Sequence, residues 1–218
     1  MSTRKAIIFD LDGTLLDTLT DIMESVNTVL ERYNFPTHEL QAYKYFIGNG
    51  IAVLTRKAFP QDISEEDFQQ YLAEVNAEYA KRQTLKTRPY EGVPEMLSKM
   101  NRRGVKLTIL SNKPHEFAVP TVQHFFPNID FAVVFGSREG IPRKPAPDAV
   151  FEILAMLKIS KDEVLYVGDT ATDMLTAKAA GLTAVGVSWG FRTVEELQKA
   201  GADHIIDQPA ELFELLKS

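Results

Sequence analysis

Short apolar, β-branched runs recur along this chain at a spacing that leaves little choice of fold. They read KAIIFD (5–10), VKLTIL (105–110), FAVVFG (131–136), EVLYVGD (163–169), LTAVGVS (182–188) and DHIIDQ (203–208), each followed by a helix-like stretch. A strand that is nearly continuous in apolar residues is buried on both faces, and strands alternating with helices need crossover connections. The pattern therefore predicts an α/β fold, a Rossmann-like, doubly wound parallel sheet with helices on both sides. The rhythm breaks once. Between Leu15 and about Arg88 no run reads as strand and the periodicity turns helical. Leu19, Ile22, Met23, Val26, Val29 and Leu30 share one helical face, and Phe68, Tyr71, Leu72, Val75 and Tyr79 share another. Ser64 to Asp67, SEED, resembles a capping box opening the second of these helices. An all-helical insertion after the first strand is expected, with core residues 1–16 and 88–218 and insertion residues 17–87. The joints fall at Leu15 to Thr18 and at TRPYEGVP, Thr87 to Pro94.

Composition narrows the function classes. At 218 residues the chain is long enough for a substantial core, and 24 basic against 30 acidic residues give a net charge of -6, which disfavours general nucleic-acid binding. The absence of cysteine excludes disulfides, thiolate metal sites and a cysteine nucleophile. MSTRK leads into a run too short for a signal-peptide core, and no segment reaches the ~20 apolar residues of a membrane span. A cytoplasmic protein, without membrane or nucleic-acid partner and either monomeric or homodimeric, is expected.

In an open parallel sheet, ligands bind beyond the carboxyl ends of the strands. The residues there are not random. Asp10, Asp12 and Thr14 follow the first strand; Ser111, Asn112 and Lys113 follow LTIL; Asp169 and Asp173 close and follow LYVGD; Lys144 sits in the loop beyond FAVVFG. Asp10 and Asp12 lie on one side of an extended segment and would repel each other unless something positive sat between them. Three carboxylates, a hydroxyl and a lysine on one edge suit Mg²⁺ and a phosphoryl group. His38, His115, His124 and His204 lack metal-ligand spacing, and Trp189 reads as packing.

Taken in order, DLDGT (10–14), LSN (110–112), RKPAP (143–147) and GDTATD (168–173) resemble the four motifs of the haloacid dehalogenase superfamily. The insertion resembles its C1 cap. DGTLLDT, GNG (48–50), SNKP and the tail WGFRTVEELQKAGADHIID are similar to the phosphoglycolate phosphatase branch. The resemblance implies a phosphatase in which Asp10 is the nucleophile and forms an aspartyl phosphate. It implies Mg²⁺ held by Asp10, the Asp12 backbone carbonyl and Asp169, and a free Asp12 side chain acting as general acid and then base. Lys144 would neutralise charge, Ser111 would bond a phosphate oxygen, Asp173 would position Lys144 or a metal-bound water, and Thr14 would brace the first turn. Asn112 and Lys113 stand as phosphate or substrate contacts, and the Gly48-Asn49-Gly50 backbone with Arg56 as the cap's contacts to a small acid such as 2-phosphoglycolate. A dehalogenase would not need Asp12, Asp169 and Asp173 together. A sugar-phosphate mutase usually places a histidine in the first cap helix, where this chain has Leu19 to Met23. Pyrophosphatase and nucleotide phosphatase activities remain rivals; a phospho-aspartate switch domain would need no lid.

Overall fold

The computed structural model describes residues 4–217. Residues 1–3 and 218 fall outside it, and with them the ends of the expected core segments and most of the MSTRK terminus. In chain order the strands are β1 (Ala6–Phe9), β2 (Leu16–Asp17), β3 (Arg88–Pro89), β4 (Lys106–Pro114), β5 (Phe131–Ser137), β6 (Val164–Gly168), β7 (Thr183–Val187) and β8 (His204–Ile206). Six of them form one parallel sheet in the order β5-β4-β1-β6-β7-β8. The chain starts at the centre, builds outward on one side, returns, and builds outward on the other. The direction of winding thus reverses beside β1.

The helices are α1 (Leu19–Arg32), α2 (Leu40–Phe46), α3 (Ile51–Ala58), α4 (Glu65–Arg82), α5 (Val93–Arg102), α6 (His115–Phe125), α7 (Asp148–Leu157), α8 (Ala171–Ala180), α9 (Val194–Lys199) and α10 (Leu212–Leu215). Alternation along β1 assigns the two layers. Ile7 and Phe9 join a core with Leu97 of α5, Val122 of α6 and Leu212 of α10, whereas Ala6 and Ile8 join another with Ile153 of α7, Met174 of α8 and Leu197 of α9. Both faces of the sheet are covered, which is why its strands tolerate no polar alternation. All six expected strands are present. β4 runs further than expected, through Ser111, Asn112 and Lys113 to Pro114, and its register against β5 slips between Leu110 and Pro114, where it leaves the regular ladder.

The first four helices gather around a core of their own, built from Leu19, Val26 and Leu30 of α1, Tyr43 of α2, Leu54 of α3 and Val75 of α4. The spacing of the apolar residues in α1 and α4 predicts these buried faces, although Met23 and Leu72 are only half-buried. Ser64 caps α4 by accepting from the Asp67 backbone N–H at 3.0 Å; the Asp67 carboxylate answers the Ser64 hydroxyl at 2.7 Å and not the backbone of a full capping box. The expectation of no strand in this stretch needs one amendment. Leu16 and Asp17 pair antiparallel with Pro89 and Arg88, so the chain leaves and re-enters the core through a two-stranded ribbon. Above it, the buried Asp21 carboxylate accepts from the backbone N–H groups of Lys86 and Thr87 and from the Thr87 hydroxyl at 2.7 to 3.0 Å. Among the described residues no helix is long and apolar enough to cross a membrane.

Candidate active site

The reversal of winding beside β1 opens a crevice at the carboxyl ends of β1, β4 and β6, the place where sheets of this order bind ligands. Asp10, Asp12, Ser111, Asn112, Lys113, Lys144, Asp169 and Asp173 converge there, all buried. Asp10 leaves β1 with its backbone N–H still bonded to Val167 on β6 at 2.9 Å, which fixes its side chain over the gap between the strands. The turn that follows brings Gly13 against Asp169. At φ +90, a Cβ on Gly13 would sit 2.2 Å from Asp169 Oδ2, so only glycine fits. Thr14 donates from its hydroxyl to Asp169 Oδ1 at 3.0 Å, and the Phe191 backbone N–H donates to Oδ2 at 2.8 Å. Thr14 therefore braces more than its own turn. Its carbonyl also accepts from the Trp189 indole at 3.0 Å, beyond the packing expected of that ring.

Asp173 occupies the first turn of α8, where its carboxylate accepts from the Thr170 backbone N–H at 3.1 Å and hydroxyl at 2.6 Å. The same carboxylate takes Lys144 Nζ at 2.7 Å and so holds the ammonium 2.9 Å from Asp10 Oδ1. Carboxylate oxygens of Asp10, Asp169 and Asp173 lie within 4.8 Å of one another. Burial, then the charge of Asp173, pushes the Asp10 carboxyl up to about 7 against the pull of Lys144. Burial and the charges of Asp173 and Asp10 likewise push Asp169 well above the usual carboxylate range. Lys144 is held well above its usual value, because Asp10 and Asp173 outweigh the burial that would lower it. Asp10 Oδ1 accepts no hydrogen bond despite its nearness to Lys144. Three buried carboxylates against one ammonium, with an oxygen left unbonded, fit a divalent cation.

Asp12 departs from expectation. Its side chain is not free but is gripped by Lys113 Nζ at 2.8 and 3.1 Å, and this buried pair places Lys113 within the site. Ser111 lines the cleft, and its Oγ accepts from the Lys113 backbone N–H at 3.2 Å. Asn112 is spent on architecture. Its amide donates to the carbonyls of Gly48 and Lys144 at 2.9 and 3.1 Å and accepts from the Lys144 N–H at 3.0 Å, tying the helical insertion and the Lys144 loop to β4.

The insertion roofs the cleft, which measures about 500 Å³ including its mouth, with Ile22, Ile47, Ile51, Leu54 and Tyr79. Gly48 and Gly50 line it too. Asn49 does not; its side chain meets the Thr172 hydroxyl at 3.3 Å. Arg56 is excluded from the cleft. Two positions past the buried Leu54, it projects from the opposite face of α3, where it pairs with Glu65 at 2.5 Å and lies 3.3 Å from the Phe68 ring centroid. Three contributors escaped the sequence reading. In sequence Tyr79 reads as one member of an apolar stripe, and nothing there singles out Asp21 or Arg192, which donates to the Ile47 carbonyl at 2.9 Å. The signal for Tyr79 is its polar tip inside a stripe that is otherwise packing.

A crevice at the winding reversal of a doubly wound sheet, lined by buried carboxylates and lysines, suits a metal-assisted hydrolase of phosphate esters. The family model described as haloacid dehalogenase-like hydrolase matches residues 7–187, and the chain belongs to that family. It is 31% identical over 208 residues to the phosphoglycolate phosphatase of Pseudomonas syringae pv. tomato, covering 93% of this chain and 76% of that one. The crystal structure of a predicted phosphoglycolate phosphatase from Haemophilus somnus 129PT superposes with a TM-score of 0.92 at 27% identity, covering all of both chains. A protein from Lactobacillus delbrueckii subsp. bulgaricus, with the same provisional assignment, superposes at 0.90 with 31% identity, again over both whole chains.

Proposed function

We propose that the protein is a Mg²⁺-dependent phosphatase that hydrolyses 2-phosphoglycolate through a phosphorylated Asp10. The observation that carries this reading is the buried cluster of Asp10, Asp169 and Asp173 around a single lysine, with Asp10 Oδ1 unbonded. The substrate is favoured by the names of the relatives and by the small, mostly apolar roof. Asp10, the Asp12 backbone carbonyl and Asp169 would hold Mg²⁺, which when bound supplies charge neutralisation to the phosphoryl group.

A carboxylate oxygen of Asp10 attacks phosphorus as the ester oxygen departs, and Asp12 gives that oxygen a proton. Asp12 then removes a proton from water, which attacks the phosphorus of the acyl phosphate and returns Asp10 with inorganic phosphate released. Lys144, held by Asp173, and the Ser111 hydroxyl stabilise the phosphoryl oxygens. Lys113 orients Asp12 for both transfers. Residues 17–87 act as a cap and residues 1–16 with 88–218 as the core, with the β2–β3 ribbon as hinge; the insertion's hydrophobic cluster, which draws in Phe191 and Phe117 from the core, supports that division.

A panel of 2-phosphoglycolate, pyrophosphate, a nucleoside monophosphate, a hexose phosphate and an aryl phosphate, with Mg²⁺ and with excess chelator, tests the reading. The highest kcat/KM is expected for 2-phosphoglycolate, with turnover lost on chelation. Pyrophosphate or a nucleotide ahead by a wide margin would overturn the substrate, and full rate in chelator would overturn the metal.

A further inference from the structure

Two buried polar groups in the roofed cleft are not fully used by this mechanism. Tyr79 is 2% exposed, and its hydroxyl makes no hydrogen bond among the described residues, although a buried phenol ordinarily finds a partner. Its ring is fixed edge-on against Phe117, with centroids 5.4 Å apart, so the hydroxyl cannot be relieved by a rotation to solvent. Burial raises its pKa to about 12, which leaves it a donor at neutral pH. Lys113 Nζ lies 4.6 Å from the same ring centroid, and beyond its two contacts to Asp12 a third N–H is turned towards the Tyr79 side chain. Apart from Gly48 and Gly50, the rest of the roof is Ile22, Ile47, Ile51 and Leu54. An apolar leaving group would strand both donors, and a sugar would bury several hydroxyls against isoleucine and leucine.

We propose that Tyr79 and Lys113 form a carboxylate subsite for the leaving group, so that α4 of the cap selects short phosphate esters bearing a carboxylate. The proposal rests on the phosphatase reading above and deepens it. Because Lys113 also grips Asp12, a carboxylate docked between Lys113 and Tyr79 brings the attached ester oxygen to the side of the cleft where Asp12 stands. Recognition of the leaving group and its protonation are thereby joined through one ammonium. Tyr79 is the residue that makes the selection specific, since, unlike Lys113, it makes no hydrogen bond to Asp12.

The test compares Tyr79→Phe and Lys113→Met with the unaltered full chain, in Mg²⁺, on 2-phosphoglycolate and on ethyl phosphate, which has the same two carbons and no carboxylate. Loss of one hydrogen bond to a charged group predicts that Tyr79→Phe lowers kcat/KM for 2-phosphoglycolate about 10-fold or more, chiefly through KM, and changes ethyl phosphate less than about 3-fold. Lys113→Met, which also disturbs Asp12, slows both esters but the carboxylate-bearing one more. Thermal melts establish that both variants fold, and the retained phenyl ring keeps the Phe variant interpretable even if Met at 113 does not. Equal losses on the two esters for Tyr79→Phe, or no loss on either, would overturn the subsite while leaving the phosphoglycolate reading standing. If another carboxylate ester such as phospholactate is the better substrate and shows the same dependence on Tyr79, the subsite stands and phosphoglycolate falls. An unaltered enzyme that prefers ethyl phosphate overturns both.

Discussion

At position 10, one carboxylate belongs to a buried anionic cluster and, in the mechanism proposed above, also serves as nucleophile, and the two duties can be separated. Asp10→Asn keeps shape and volume but removes the nucleophile, so turnover of every phosphate ester should vanish; substantial remaining activity would mean that water attacks directly. The same substitution has an opposite effect on stability. The folded-state value of about 7 lies above the ordinary 3.8, so between those two values the folded chain binds this proton more tightly than the unfolded chain. Stability of the metal-free protein is therefore lost as pH rises through that window. In chelator, Asp10→Asn should melt higher than the unaltered chain at about pH 8, with the gap closing towards about pH 4. A gap independent of pH would remove burial and the Asp173 charge as its cause. Asp12 needs a gentler probe than alanine, because truncation would leave Lys113 buried and unpaired. Asp12→Asn should slow an alkyl phosphate by about 10² to 10⁴ and an activated aryl phosphate less, under single-turnover conditions. Equal losses would take Asp12 out of the acid role. Asp10, Asp12, Lys144, Asp169 and Asp173 were all legible in the sequence because strand ends betray themselves: an apolar run stops and a polar residue must follow. That Lys113 is committed to Asp12 was not legible, since 101 positions separate the pair.

Between elements, the joint matters most. β2 and β3 have two residues each and carry no alternation by which a sequence could announce them; they exist because the outgoing and returning chains must pass side by side. Asp21 closes that joint with three donors from residues 86 and 87. Asp21→Ala strands the buried Thr87 N–H and hydroxyl, and should cost about 1–3 kcal/mol of stability, read in denaturant melts. An unchanged midpoint would mean that water replaces the carboxylate. The longer elements behaved differently. α1, α4 and the six sheet strands follow from periodicity alone, because each buries one face or two against a partner layer whatever its order in space. α3 shows the limit. Closeness in sequence to Gly50 points Arg56 towards the substrate, yet the helix turns it outward to Glu65 and Phe68.

Across the whole molecule, the order β5-β4-β1-β6-β7-β8 brings charges from four distant stretches of chain into a site that no single element could build. Assembly in one buried place raises Asp10 and Asp169 above their usual range, and a divalent cation must displace the protons they retain. Mg²⁺ binding should consequently release more protons at about pH 6.5 than at about pH 9, seen as a calorimetric heat whose dependence on buffer ionisation enthalpy is steeper at the lower pH. A buffer-independent heat at both would show that the carboxylates are already ionised before the metal arrives. By itself the sequence determined the class of fold, the inserted helical segment and the polar residues that close the strands, because burial on two faces and polar strand ends are local consequences of composition and spacing. Only the tertiary structure decided that Asn112 clasps the insertion to the Lys144 loop, that Lys113 belongs to Asp12, that Tyr79 hangs over them with its hydroxyl unpaired and that Arg56 faces away. Each of those is a contact between residues remote in the chain, set by the packing of the insertion on the sheet, and spacing along a sequence carries no measure of that distance.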